Sequence, residues 1–366
     1  MTVSNDPTVH ATAEGPSSPV DDRHVEVFEP VATPAVVRTE LPATPQQHEL
    51  VRDGRARIAA AMRGRDDRMV VIVGPCSIHD QTLAAEYARL LAPVAQELSD
   101  HLIVVMRTYF EKPRTSIGWK GLIYDPALDG SSDASRGLRI ARQVLLEVTS
   151  LGLPCAVEVL DTITPQYQAD LVTWAAIGAR TVESQVHRQL ASGLSMPIGF
   201  KNGTDGTLGG ATNALSAAVA PHAFFGIDGF GQTTVVRTTG NPDVHIVLRG
   251  GSDGPNHGVA HVRAAKESAR RITDHPRPVM VDASHGNSGK DHRRQHLVVE
   301  DVLEQWRSRD HGLLGLMLES NLHPGRQDWS PDAPLEHGVS ITDACIGWDE
   351  TVDLLHRCAE TVASTR

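Results

Sequence analysis

Several features that mark specialised protein classes are scarce or missing in this chain. Only 4 of its 366 residues are cysteine, at positions 76, 155, 345 and 358, and no two form a Cys-x-x-Cys pair. That excludes a disulfide framework and a zinc ribbon, and leaves each as a lone thiol. No uninterrupted apolar run approaches the roughly 20 residues that cross a bilayer, so a helical membrane protein is excluded. Basic residues are outnumbered, 34 against 45 acidic, for a net charge of -11. No general field holds a polyanion such as DNA, and any phosphate site must be local. The first residues, Met1-Thr2-Val3-Ser4-Asn5-Asp6, lack the basic and apolar regions of a secretory signal, so the expected address is the cytoplasm. Neither GxxxxGK[ST] nor GxGxxG is present, and no GxSxG elbow. Standard nucleotide and nucleophilic-serine readings fall away.

What is present is a globular composition, 40% hydrophobic and 22% charged. The length allows two domains or one large one. Seven of the 22 prolines lie in the first 45 residues, where polar residues also dilute the apolar content. Residues 1–20 therefore read as a flexible tail, and 21–65 as an arm leading into a helix. Within the arm, His24-Val25-Glu26-Val27-Phe28 alternates as a short strand would. From Gln47 to Arg63, Leu50, Ile58, Ala59 and Met62 recur at helical spacing.

Beyond residue 66, short Val-, Ile- and Leu-rich runs alternate with helical stretches. There are eight: Met69–Val73, Leu102–Met106, Cys155–Val157, Ala175–Ala179, Pro197–Phe200, Val244–Leu248, Val279–Val281 and Leu313–Leu318. Near-continuous apolar strands separated by helices form parallel sheets buried on both faces. Eight units with polar residues at the strand ends point to a (β/α)₈ barrel over 66–366, with its site on the C-terminal face. An open doubly wound sheet with a small lobe is the alternative. Ala223–Ile227 and Thr233–Thr238, separated by Asp-Gly-Phe-Gly, read as a β-hairpin inserted at about 223–238, between units five and six.

Two sets of residues gather at the strand ends. Arg107, Arg180, Lys201 and Arg249, with Lys112 and Arg114 in the loop after the second strand, are cations that repel one another unless an anion lies between them. Any one alone is more often a surface ion-pair partner. Six together point to phosphate and carboxylate. Cys76, His285, Glu319 and Asp343 form a mixed sulfur, nitrogen and oxygen set suited to a divalent metal such as Mn, Fe, Co or Zn. Singly they are ordinary as a buried thiol, a turn histidine and helix caps. The stretches 199–206 and 250–254 are glycine-rich and offer backbone amides to an anion.

Ordered matches extend from about Asp21 to the last helix. They include Val73-Gly-Pro-Cys-Ser-Ile-His-Asp80, Met106-Arg-Thr-Tyr-Phe-Glu-Lys-Pro-Arg-Thr115, Gly118-Trp-Lys-Gly121 and Ala179-Arg-Thr-Val-Glu-Ser-Gln-Val-His187. Gly199-Phe-Lys-Asn-Gly-Thr-Asp-Gly206, Leu248-Arg-Gly-Gly251, Ser284-His-Gly-Asn-Ser288, Glu319-Ser-Asn321 and Ser340-Ile-Thr-Asp-Ala-Cys-Ile-Gly-Trp348 follow. In these the sequence resembles the type I 3-deoxy-D-arabino-heptulosonate 7-phosphate (DAHP) synthases, transferases that open the shikimate pathway of aromatic amino acid biosynthesis. The resemblance implies a metal-dependent condensation of phosphoenolpyruvate with erythrose 4-phosphate. It implies Cys76, His285, Glu319 and Asp343 as metal ligands, His285 and Asp343 also facing substrate. Arg107, Lys112, Glu158, Ala179, Arg180, Lys201 and Arg249 would line the phosphoenolpyruvate site. Arg114 and Thr115 would hold the erythrose phosphate. Lys112 and Glu158 are the candidates for activating water, and Cys76 would be a ligand thiolate, not a nucleophile. Ala283 stands where relatives carry a larger residue.

In relatives the arm and hairpin form a pocket for an aromatic amino acid. Asp21, Asp22, Pro165, Gln166, Ser195, Phe224, Gly226 and Val236 fall at the matching places. Gly226, where phenylalanine-sensitive relatives have serine, implies tyrosine as effector. Dimers or tetramers are expected, the arm reaching a neighbour. A non-catalytic amino-acid-binding paralogue and a secondary-metabolism synthase using another aldose phosphate are the alternatives.

Overall fold

The computed structural model describes residues 20–114, 117–272, 277–308, 311–330 and 334–365. Eight parallel strands close on themselves. They are β1 (Met69–Gly74), β2 (Leu102–Arg107), β3 (Cys155–Glu158), β4 (Trp174–Ile177), β5 (Ile198–Lys201), β8 (Val244–Leu248), β9 (Val279–Asp282) and β10 (Leu313–Glu319). β1 pairs with both β2 and β10, which shuts the ring and disposes of the open doubly wound alternative. Two strands, β6 (Ala223–Ile227) and β7 (Thr233–Arg237), stand apart as an antiparallel hairpin between β5 and β8.

Helices α1 (Pro34–Glu40) and α2 (Pro45–Met62) precede the barrel. One helix then follows each barrel strand: α3 (Gln81–Glu97), α4 (Ala134–Ser150), α5 (Pro165–Gln168), α6 (Gln185–Ala191), α7 (Gly209–Ala218), α8 (Val259–Arg270), α9 (Gln295–Trp306) and α10 (Trp348–Thr365). Side chains alternate across each strand, so one chain segment feeds two cores. Val70 and Ile72 join Val105, Trp174, Met280 and Met317 inside the ring, while Val71 and Val73 pack with the helices. Ile58, Ala61 and Met62 of α2 belong to the interior cluster and cap the ring where its strands begin. The opposite, C-terminal face is left to polar residues.

Boundaries shift by one or two residues from expectation, notably at β4, β5 and α2. His24–Phe28 is not a strand: among the described residues no segment pairs with it, and Val27 and Phe28 are more than half exposed. The arm instead docks through α1. Ala35 N–H donates to Gly229 O of the hairpin at 2.7 Å, and Arg38 donates to Gln166 O at 2.5 Å. Residues 1–19 lie outside the described residues, and with them almost all of the expected tail. Among the described residues no helix is long and apolar enough to cross a membrane.

Candidate active site

Strand register assembles the site. β1 and β10 pair Gly74 with Glu319, which brings Cys76, two residues farther on, against the Glu319 carboxylate. The Cys76 sulfur and carboxylate oxygens of Glu319 and Asp343 all lie within 4.8 Å of one another. His285 stands just outside this trio, with Nε2 3.8 Å from Glu319 Oε1. Its other nitrogen, Nδ1, is 2.7 Å from Ser284 Oγ and 3.0 Å from Asp282 Oδ2, a pairing that turns Nε2 toward the trio. His285 itself sits at φ 56, a left-handed conformation that costs energy in a non-glycine residue and recurs at functional sites.

The donor set fits a divalent metal. Sulfur, carboxylates and an imidazole nitrogen converge at one point. That point already attracts positive charge, since Lys112 Nζ is 3.0 Å from Cys76 Sγ. Burial, then Glu319, pushes the Cys76 thiol up to about 11, with Lys112 opposing. Burial also works against the Lys112 charge, but Cys76, Glu319 and Asp343 outweigh it and hold the ammonium protonated.

Around this point opens a cleft of about 810 Å³. Among the described residues eight lysines and arginines line it, against the carboxylates of Glu158, Glu319 and Asp343. In a chain of net charge -11, that excess marks the cleft for a polyanionic ligand. The innermost cations are locked. Arg107 bonds Glu319 Oε1 at 3.0 Å and Cys76 O at 3.2 Å, with its guanidinium 3.8 Å over the Tyr109 ring. Lys201 pairs with fully buried Asp282 at 3.0 Å. Burial disfavours the Asp282 charge, yet His285 and Lys201 hold its carboxyl well below the usual range. Arg249 is set by its own N–H donating to Asn202 Oδ1 at 2.8 Å. Arg180 lies in a turn past β4, beside Ala179, rather than at the strand end. Arg114 lines the mouth with Nε donating to Trp119 O at 2.8 Å. Thr115 lies outside the described residues.

Glu158 ends β3 with its carboxyl against Gly178. A Cβ on that glycine would stand 2.1 Å from Glu158 Oε1, so only glycine leaves the carboxyl its place. The glycine-rich stretches serve otherwise than expected. Amides of Gly203, Gly206, Gly250, Gly251 and Gly254 are spent on acceptors within their own loops. Their small size lets backbones touch instead: a Cβ on Gly251 would lie 2.2 Å from Gly206 N. Sequence reasoning passed over Lys290 and Arg326, further cations of the cleft, and Asp282, which sets both Lys201 and His285. An ion pair predicted from a strand's last residue needs the register of its neighbour, which sequence does not carry. Ala283 is fully buried in the barrel-to-helix layer and takes nothing from the site.

A second cavity of about 310 Å³ lies between α1, α5 and the hairpin. Pro165, Gln166, Ser195, Phe224, Gly226 and Val236 line it. Asp21 and Asp22 do not: in the single chain they are outside its lining.

Comparison with known proteins gives the same picture. The profile of the DAHP synthetase I family matches residues 40–356. The Tyr-sensitive phospho-2-dehydro-3-deoxyheptonate aldolase of Escherichia coli K12 is 50% identical over 333 residues, 91% of this chain and 93% of that protein. Its Phe-sensitive counterpart from the same strain is 48% identical over 346 residues, 94% of this chain and 98% of that one. The solved phospho-2-dehydro-3-deoxyheptonate aldolase of Francisella tularensis superposes with a TM-score of 0.91 at 46% identity, covering 93% of this chain and 99% of that one. The chain therefore belongs to the DAHP synthetase I family, the enzymes that make 3-deoxy-7-phosphoheptulonate for aromatic biosynthesis.

Proposed function

We propose that the cleft condenses phosphoenolpyruvate with erythrose 4-phosphate and water, giving DAHP and inorganic phosphate, and that Cys76, His285, Glu319 and Asp343 hold a divalent ion there. The observation that carries this is one cleft combining eight cationic side chains with a thiol, two carboxylates and an imidazole around a single point. When bound, the metal supplies Lewis acidity toward the aldehyde oxygen of the aldose phosphate. Mn, Fe, Co and Zn all suit the donors.

The residues do the rest by position and charge. Arg107, Lys201 and Arg249, with Ala179-Arg180, clamp the phosphate and carboxylate of phosphoenolpyruvate, and Arg114 with Thr115 takes the second phosphate. Holding both anions keeps C3 of the enol within reach of the aldehyde. As the new carbon–carbon bond forms, the aldehyde oxygen takes a proton and C2 becomes electron-poor. Water then bonds to C2, and release of phosphate leaves the ketone. Lys112, an ammonium at the outset, can give the aldehyde oxygen its proton, and Glu158, or Lys112 once it has given its own, takes the proton that this water gives up. Preset arginines cancel the charge of the departing phosphate without reorganising.

We assign the smaller cavity to an aromatic amino acid effector, tyrosine. At Gly226 a Cβ would already lie 3.1 Å from Val236 Cγ2, so glycine keeps space that a phenolic hydroxyl uses. Asp21 and Asp22 would come from the arm of a neighbouring copy in a dimer or tetramer. Exposed Phe225, Phe230 and Val235 of the hairpin region, and Val27 and Phe28 of the arm, provide the apolar surface for that contact. Residues 21–65 and 223–238 would thus form the regulatory part, and the barrel the catalytic one. Four free, buried cysteines are in keeping with a cytoplasmic protein. The test is product identity: a seven-carbon phosphate ester formed from the two substrates supports the reading, and its absence with every metal overturns it.

A further inference from the structure

We propose that Glu111 is a positioning residue for catalysis, its buried carboxyl tying the loop that carries Lys112 to the turn that follows Glu158. The inference rests on the roles given above to Lys112 and Glu158.

Neighbouring side chains on an extended segment point in opposite directions. Lys112 enters the cleft, and Glu111 turns away from it into the protein, where it is 1% exposed. There Oε1 accepts the Asp161 N–H at 3.1 Å, and Oε2 accepts the Thr164 hydroxyl at 3.1 Å. The Tyr124 hydroxyl lies 3.5 Å from Oε1 and donates to Asp161 Oδ2 at 2.8 Å. Two carboxyl groups, buried Glu111 and half-buried Asp161, thus share one phenol, and among the described residues neither has a cationic partner.

Both sides of this joint are stiff. Lys112 N–H donates to Lys120 O at 2.9 Å, and a Cβ on Gly121 would stand 2.1 Å from Phe110 O, so the loop is closed tightly on itself. Across the joint, Asp161 Oδ1 accepts the Ile163 N–H at 2.7 Å and fixes the turn only three residues beyond Glu158. Any displacement of Glu111 therefore moves the ammonium and the carboxylate relative to each other.

The charged and titratable groups facing Glu111 are Asp161, from the turn after β3, and Tyr124, from the far end of its own loop. Burial, then Asp161, pushes the Glu111 carboxyl up to about 8, with Thr164 and the backbone amides opposing. Below that pH the Glu111 acid keeps its proton and the joint carries the charge of Asp161 alone. Above it, a second negative charge appears beside Asp161 and the joint opens.

The experiment compares wild type, Glu111→Gln and Glu111→Ala across about pH 6 to 10, reading kcat and KM for each substrate. Amide hydrogen exchange of 108–125, corrected for intrinsic rate, is followed in parallel. Wild type should lose kcat/KM on an alkaline limb centred near 8, with faster exchange in the loop. Glu111→Gln, neutral at every pH, should keep the wild-type rate within about threefold at neutral pH and lack that limb in both readouts. Glu111→Ala should lose about tenfold or more in kcat at every pH. An alkaline limb unchanged in Glu111→Gln, or full activity in Glu111→Ala, overturns the proposal. Failure of all three proteins to make the heptulosonate defeats the synthase reading instead, and the exchange data then decide the role of Glu111 alone.

Discussion

Lys112 Nζ lies 3.0 Å from the sulfur of Cys76, and so joins the cation set of the cleft to the proposed metal-ligand set. The two sets come from segments far apart in sequence, yet a member of the first touches the second. Its position beside a buried thiol and two carboxylates explains why Lys112 stays charged although it is almost fully buried.

Replacing Lys112 by methionine keeps the length of the side chain and removes the charge. We expect kcat to fall about 10²-fold or more, with a smaller change in the KM for phosphoenolpyruvate. Steady-state kinetics at several metal concentrations check this. An unchanged kcat would remove Lys112 from the chemistry.

Metal binding should show without turnover. Mn or Zn at about 100 times its Kd stabilises by about 2.7 kcal/mol, a rise of a few degrees in Tm for a chain of this size. Cys76→Ala should abolish the rise while leaving the metal-free Tm close to wild type. Differential scanning fluorimetry after chelation and metal return provides the measurement.

Gly178→Ala separates activity from stability. The clash falls on the Glu158 carboxyl, the movable end of a flexible side chain, so folding tolerates it. The carboxyl itself must leave its place. We expect about a 10²-fold loss in kcat/KM with Tm within about 2 °C of wild type. Parallel melting and kinetics distinguish this from general destabilisation.

Gly226→Ser places a side chain 3.1 Å from Val236 in the smaller cavity. Tyrosine should inhibit about tenfold more weakly, phenylalanine should gain potency, and uninhibited kcat should not change. Inhibition curves for both amino acids decide it, and retention of wild-type tyrosine sensitivity would remove Gly226 as the discriminator.

The barrel was legible because eight Val/Ile/Leu runs carry their own punctuation, from Met69–Gly74 to Leu313–Glu319. The hairpin was legible from the Asp228-Gly229-Phe230-Gly231 turn. What stayed hidden depends on contacts between distant segments. His24–Phe28 has a strand's alternation but no partner among the described residues. The glycines after β5 and β8 look like an anion cradle, yet their amides are consumed by the loops and their value is close backbone approach. Glu111 drew no reading from the sequence, because its burial is set by Asp161 and Thr164, some fifty residues on.

The most direct test of the account is phosphate release from phosphoenolpyruvate by the chelated protein, with and without erythrose 4-phosphate and with and without added Mn, Fe, Co or Zn. The account predicts release only when the aldose phosphate and a metal are both present, and none in His285→Ala or Cys76→Ala. Release that is independent of either, or no release under any metal, would contradict it.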